Sequence, residues 1–232
     1  MSLRCSLSKQ ELVAYVAKQI GTFFPDGLSQ TDTENELFKV IDETLERLEV
    51  CIDSICLRGY HDNDGSPAFY HLHADQYATF LYFLSNTLWK NGGNKTICDK
   101  LLYLNRTLHS IFISYKCKLP PHFLLAHPVG TVLGNADYDD FLVISQGVTV
   151  NTDLNGGGSP HIGKGVFLSA DCYIIGDSNL TIGNYVSVGV NCLVYQKSIP
   201  DNMVAKNING SCVVEPRKRP ECSAQRVFNI RF

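Results

Sequence analysis

The chain of 232 residues is short of several things. It has one tryptophan and two methionines, and its charges nearly cancel: 20 Lys and Arg against 23 Asp and Glu, a net −3. With no basic excess and no run of like charge, nothing points to nucleic acid as a partner. No apolar segment reaches the ~18 residues that a membrane span needs. The opening, MSLRCSLSKQ, lacks the apolar stretch of a signal peptide. Nine cysteines are scattered from Cys5 to Cys222, with no C-x-x-C pair and no Cys/His spacing that fits zinc. An odd number of thiols without a secretion signal reads as a cytoplasmic protein with reduced cysteines, each a small buried apolar group. No metal site is expected.

What is present falls into two textures. Up to about residue 118 the pattern is helical. KQELVAYVAKQIGTFF places Leu12, Val16 and Ile20 four apart and stops at PDG. TDTENELFKVIDETLERLEVCIDSI carries Leu37, Ile41, Leu45, Leu48, Ile52 and Ile55 in steps of three and four, which predicts one long amphipathic helix. Thr33 and Glu36 offer a capping box at its start. A third helix, roughly 75–89, is apolar nearly all round, and a fourth starts near Lys95. Pro120 and Pro121 then end helical structure.

After Pro121 a six-residue repeat takes over. Ile162, Leu168, Ile174, Ile182, Val188 and Val194 share one register, with a two-residue insertion near GDSNLT. Each unit supplies one short strand and one corner, and the aliphatic residue stacks on its counterpart in the next coil. Glycine follows at Gly163, Gly183 and Gly189, where a corner is expected to demand unusual backbone angles. The pattern predicts an α+β chain: a helical domain over 1–118, a parallel β-helix over 119–205 and a tail over 206–232.

These residues resemble the serine acetyltransferases, hexapeptide-repeat acyltransferases with a helical N-terminal domain and a left-handed parallel β-helix. The likeness runs from about Ala68. It rests on LLAHPVGTVLG, which is similar to the family's histidine turn, and on ISQGVTV, SPHIGKGVFLSADCYIIG and IGNYVSVGVNCLVYQKSIPDN in the coils. The resemblance implies acetyl transfer from acetyl-CoA, a co-substrate and not a resident cofactor, to a small hydroxyl acceptor, L-serine in the family. It also implies homotrimers, alone or paired into hexamers, with acetyl-CoA lying along the seam between neighbouring β-helices. His127 is then the candidate general base, because an imidazole has its pKa near working pH and an alcohol needs a base to attack a thioester. A turn histidine bonded to backbone is the structural alternative. Carried over by position, Asn151, Thr152, Ser169, Ala170, Gly189 and Val190 would flank the pantetheine arm, and Lys206 or the EPRKRPE cluster would reach a phosphate.

The chain also departs from that family. The family's orienting aspartate, about fifteen residues before the histidine, is replaced by Ile111 and Phe112, and the nearest upstream acid is Asp99. The family's Arg-His-Pro-x-Ile motif reads GSPHI. Gly158 stands for the arginine that meets the serine carboxylate, and Ser159 stands for the second histidine. His161 lies two residues on, on the same side of a strand, and is the candidate substitute. Substitute acceptor contacts are sought at Asp62, Asp64, His73 and Asp75. A sugar hydroxyl as acceptor, or a silent subunit that binds CoA or a partner, are the alternatives.

Overall fold

The computed structural model describes residues 3–152 and 158–228. The chain divides into two compact units: one made of residues up to Asp53 with Arg58–Lys116, the other of Ser54–Leu57 with Cys117 onward.

The first unit holds helices α1 (Lys9–Phe23), α2 (Gln30–Phe38), α3 (Ile41–Asp53), α4 (Ala74–Lys90) and α5 (Lys95–His109). A short parallel pair, β1 (Arg4–Cys5) with β2 (Ala68–Phe69), and strand β3 (Phe112–Ile113) complete it. Every residue of α4 from Asp75 to Leu88 is buried, and α3 and α5 pack against it. Its polar groups are met: the Asn86 amide donates to Tyr115 O (2.7 Å), and Arg47 donates to Thr87 Oγ1 and Asn86 Oδ1. The capping box sits elsewhere than expected. Ser8 and Glu11 form it at α1, each side chain bonding the other's backbone N–H. The long helix predicted from residue 33 onward is two helices broken at Lys39–Val40, and the first begins three residues earlier, capped by Ser29. Thr33 is buried inside α2 with its hydroxyl donating to Ser29 O. The apolar stripe ran unbroken through the break, because Leu37 and Ile41 are both buried on either side of it.

The second unit is a parallel β-helix of about four coils with three faces. Face one runs β4 (Phe123–Ala126), β7 (Leu142–Ser145), β10 (Phe167–Leu168), β13 (Ser187–Val188) and β15 (Met203–Ile208), all parallel. Face two runs β5 (Val132–Leu133), β8 (Thr149–Thr152), β11 (Tyr173–Gly176) and β14 (Leu193–Tyr195). Face three runs β6 (Asp137–Tyr138), β9 (His161–Ile162) and β12 (Thr181–Ile182). All six residues of the repeat register point inward and are at most 3% exposed. The ladder extends into coils whose sequence hid it: Leu125, Ile144, Leu168, Val188 and Ala205 form one buried column. Strand β16 (Ser211–Pro216) pairs antiparallel with β15, so a hairpin crosses the expected boundary at 205.

The repeat glycines have a different cause from the one expected. Gly163, Gly183 and Gly189 do not adopt positive φ. A Cβ on Gly163 would stand 2.8 Å from the carbonyl carbon of Gly183, and one on Gly189 would stand 2.8 Å from Ala205 O. Close approach of the next coil excludes a side chain there. The left-handed corner positions are filled by two other glycines, Gly147 and Gly165, and by His127, Phe141, Asp171, Tyr185, Asn191 and Asn202.

Beyond the hairpin the chain returns along face one. Cys222, Ala224 and Phe228 are fully buried. Ser223 Oγ meets Ser187 Oγ at 2.9 Å, the Phe228 ring meets Phe141 edge-on at 5.6 Å, and Val227 O accepts from Cys56 N. Through Ser187 the segment meets the outward row of face one, to which Leu124, Val143 and Phe167 also belong by register.

Candidate active site

His127 closes β4 and opens the corner between faces one and two. It is exposed, with φ +50°, and its carbonyl accepts from Val129 N (2.7 Å) while Pro128 behind it is buried. Left-handed backbone at a non-glycine residue often marks a functional site. Here the same conformation recurs at Asp171 and Asn191 on the same edge, so corner geometry accounts for it. What distinguishes His127 is its side chain, an exposed imidazole at the first corner of a ladder.

That edge collects part of the expected cofactor set. Asp171 N donates to Gln146 O and Asn191 N to Ala170 O, which stacks the corners. Ser169 and Ala170 follow β10, Gly189 and Val190 follow β13, and Lys206 lies on β15 where the same edge ends. From β4 to β15 there are four strand spacings, roughly 19 Å. Asn151 is not on this edge. It sits at the far end of face two, paired with Ile175, and Thr152 ends the same strand paired with Gly176.

On the outward side of face one, at its last coil, a cavity of about 360 Å³ opens that shares Lys206 with this edge. Lys206, Arg217, Lys218 and Arg219 line it with Glu215, Glu221 and the Ser187 and Ser223 hydroxyls. Lys206 is ion-paired with Glu215, which holds that carboxyl below its usual range. Arg217 Nη2 donates to Asn202 Oδ1 (3.1 Å), while its Nη1 is buried with no hydrogen-bond partner among the described residues. Lys206 and the EPRKRPE cluster, both candidates for a phosphate contact, are thus gathered round one cavity.

His161 lies on face three, its Nε2 3.2 Å from Asp139 Oδ2, with Asp137 opposite it in the parallel pairing. His127 and His161 therefore occupy different sides of the prism within one chain. Gly158 and Ser159 precede β9. Gly158 has φ +97°, and a Cβ there would lie 2.9 Å from Ser178 Cβ. Asp75 belongs to the first unit, buried on the first turn of α4. Asp62 and Asp64 are both ion-paired with Arg4, and Asp99 is held by Lys95 (2.7 Å) and the Tyr115 hydroxyl (2.8 Å).

Sequence reasoning missed a second His–Asp pair. His122 Nδ1 lies 2.9 Å from both oxygens of Asp140, and its ring stacks on Phe141 at 4.7 Å. The two lie 18 residues apart, one short of the 19-residue register offset between β4 and β7. A β-helix sets partners one coil apart, so the acid that meets a histidine need not lie in the segment before it. Among the described residues no cluster of His, Cys, Asp and Glu is arranged to hold a metal. No helix of the described residues is long and apolar enough to cross a membrane.

A helical unit followed by a parallel β-helix is a fold shared with solved enzymes. The chain superposes on serine acetyltransferase from Brucella abortus strain S19 with a TM-score of 0.70 at 20% identity, over 93% of this chain and 85% of that one. It superposes on the Neisseria gonorrhoeae serine acetyltransferase with a TM-score of 0.69 at 18% identity, over 97% and 86%. The first of these enzymes has also been solved with coenzyme A and the second with serine. At these identities the likeness is one of fold. No family model matches the chain, and no curated protein matches it by sequence.

Proposed function

We propose that the protein is an acetyl-CoA-dependent O-acetyltransferase of the serine acetyltransferase type, with His127 as general base. The observation that supports this is the edge itself, which bears an exposed histidine at one end and, roughly 19 Å away at the other, Lys206, whose basic cavity opens on the adjoining outward side of face one. That span is about the reach of an extended pantetheine arm. In this reading the thioester lies at His127 and the phosphates near Lys206 and the cavity, where Arg217 Nη1, with no hydrogen-bond partner among the described residues, suits an anion. Ser169, Ala170 and Gly189 between them are small enough to let the arm lie against the coils.

In the reaction the imidazole takes the proton of the acceptor hydroxyl as that oxygen attacks the thioester carbonyl. The developing oxyanion is met by backbone N–H groups. The C–S bond then breaks, and the proton passes from the imidazolium to the departing thiolate. No acyl-enzyme forms. His127 and His161 stand on different sides of one prism, so a site using both draws them from two copies. That fits a trimer, or a pair of trimers, with the seam between neighbouring β-helices as the binding groove. L-Serine is the acceptor that the fold likeness suggests. A sugar hydroxyl is the second reading, favoured by Gly158 standing where the family's arginine would be.

The test is acetyl-CoA thioester loss followed by absorbance, with L-serine and carboxylate-free alcohols as acceptors, in wild type and His127→Ala. The expected result is acceptor-dependent loss in wild type and a drop of about 10²–10⁴-fold in the variant, with CoA binding retained. An unaltered rate in the variant removes His127 from the mechanism. No thioester cleavage with any acceptor leaves a CoA- or partner-binding homologue.

A further inference from the structure

Three of the nine cysteines fall at a fixed spacing. Cys172, Cys192 and Cys212 lie 20 residues apart, and 20 is also the register offset between β11 and β14, where Tyr173 pairs with Leu193. Cys172 and Cys192 therefore occupy one position in successive coils, and both are fully buried. Cys212 cannot extend that column as a further coil, because β16 runs antiparallel to β15. It arrives at Cys192 by the hairpin instead.

The backbone sets this meeting. Asn207 pairs with Cys212 across the hairpin, and its Nδ2 donates to Asn191 O, one residue before Cys192, at 2.6 Å. A Cβ on Gly189 would lie 3.8 Å from Cys192 Sγ and 2.8 Å from Ala205 O, so the thiol stands on the side from which β15 approaches. Alternate residues of β16, Cys212 and Val214, line a cavity of about 130 Å³ with Leu193, Val194 and Ile199 of the last coil. There the Cys192 side chain hydrogen-bonds that of Cys212. Cys212 is half-buried and Cys192 is not exposed, so a reagent entering from solvent meets Cys212 first.

We propose that Cys212 and Cys192 are a reversible thiol–disulfide pair that fastens the β15–β16 hairpin to the last coil, with a low-molecular-weight disulfide as oxidant. The Cys212 thiolate attacks one sulfur of that disulfide, forms a mixed disulfide and expels one thiolate. The Cys192 thiolate then attacks the Cys212 sulfur and expels the second. The two cysteine protons end on the two expelled thiolates, and the oxidant is reduced by two electrons to two thiols. The bond closes the loop from 192 to 212, which carries Lys206 on one wall of the basic cavity. Closing it removes freedom from the unfolded chain, so the oxidised protein resists unfolding better than the reduced one. The pair stands whether or not the chain transfers acyl groups.

The full chain is incubated with oxidised glutathione, its remaining thiols are alkylated, and it is digested with trypsin without reduction. The expected product joins peptide 165–197 to peptide 207–217, and dithiothreitol releases the two. Peptide 165–197 holds both Cys172 and Cys192, so two variants identify the partner. The link should persist in Cys172→Ala and vanish in Cys192→Ala. Oxidation should also raise the urea midpoint of the wild type by roughly 1 M, and leave Cys212→Ser with one midpoint under both conditions. Glutathione retained on Cys212 with no internal link would overturn the proposal, as would a link from Cys212 to any other cysteine. A link that forms without raising the midpoint would overturn the fastening.

Discussion

Single residues in this protein are governed by what the next coil or the next helix does to them. His109 shows it in the helical unit. Asn105 donates its amide to Ala78 O (3.0 Å), which turns its Oδ1 toward His109 Nδ1 at 2.8 Å and makes that nitrogen the donor. Burial pushes the imidazole below its ordinary 6.5, against the upward pull of Asp75 and of Asn105. A depressed folded pKa means that the unfolded chain takes up the proton first. The contribution is complete above about pH 6.5 and is lost as pH falls toward the folded pKa. Urea melts at pH 7.5 and 5.5 should show that loss, and His109→Gln should make it smaller. An unchanged slope in the variant would remove His109 as its source. The buried thiols follow the same physics: Cys117 and Cys172 are pushed up to about 12, and Cys98 and Cys192 to about 11, mainly by burial. Away from the Cys192–Cys212 pair they are buried packing groups.

Elements are set by two periods, and the sequence displayed them unequally. Helix α1 was legible because its apolar positions recur four apart, and α4 because it is apolar nearly all round, as a buried helix is. The break between α2 and α3 was not, since Leu37 and Ile41 keep the stripe going across it. In the β-helix the six-residue register was plain from Ile162 onward, where each coil is regular. Leu125, Leu133, Ile144 and Val150 share the buried interior but lie in coils of unequal length, so no fixed spacing revealed them. The glycines mark where coils touch. Gly163→Ala places a methyl within 3 Å of three backbone atoms of the next coil. Since those atoms belong to the ladder, they can move only by parting the coils. The variant should lose about 1–3 kcal/mol, as overpacked cores do. Gly210→Ala offers a contrast, because a Cβ there meets nothing within 4 Å and only its φ of +80° is strained. A Gly163→Ala protein as stable as wild type would mean that the coils can yield.

At the scale of the whole molecule, the returning C-terminal segment decides which faces remain open. It packs on face one through Phe228, Ala224 and Cys222, and leaves Tyr173, Leu193 and Tyr195 exposed on face two. Phe228→Ala removes a fully buried ring from a site shared with Phe141, which in turn stacks on His122. Loss of about 3–5 kcal/mol is expected, the range for a buried Phe→Ala change, measured by denaturant unfolding. A loss under 1 kcal/mol would mean that the segment contributes little to the β-helix. The sequence offered no sign of this return, because a tail of mixed Arg, Pro and small residues has no period to read.

What the sequence determined by itself was whatever depends on local spacing: the two textures, the helical stripes, the inward column of the repeat and the candidate histidine at its first corner. The tertiary structure decided what depends on stacking. Winding the chain into coils sets a residue beside the one about a coil away, which brought Asp140 to His122. It gathered Lys206 and Arg217 round one cavity, and it separated His127 from His161. Those pairings depend on the length of each intervening coil, and that length changes with every loop between strands. No periodicity in the chain records it, so only the folded coil reveals which side chains meet.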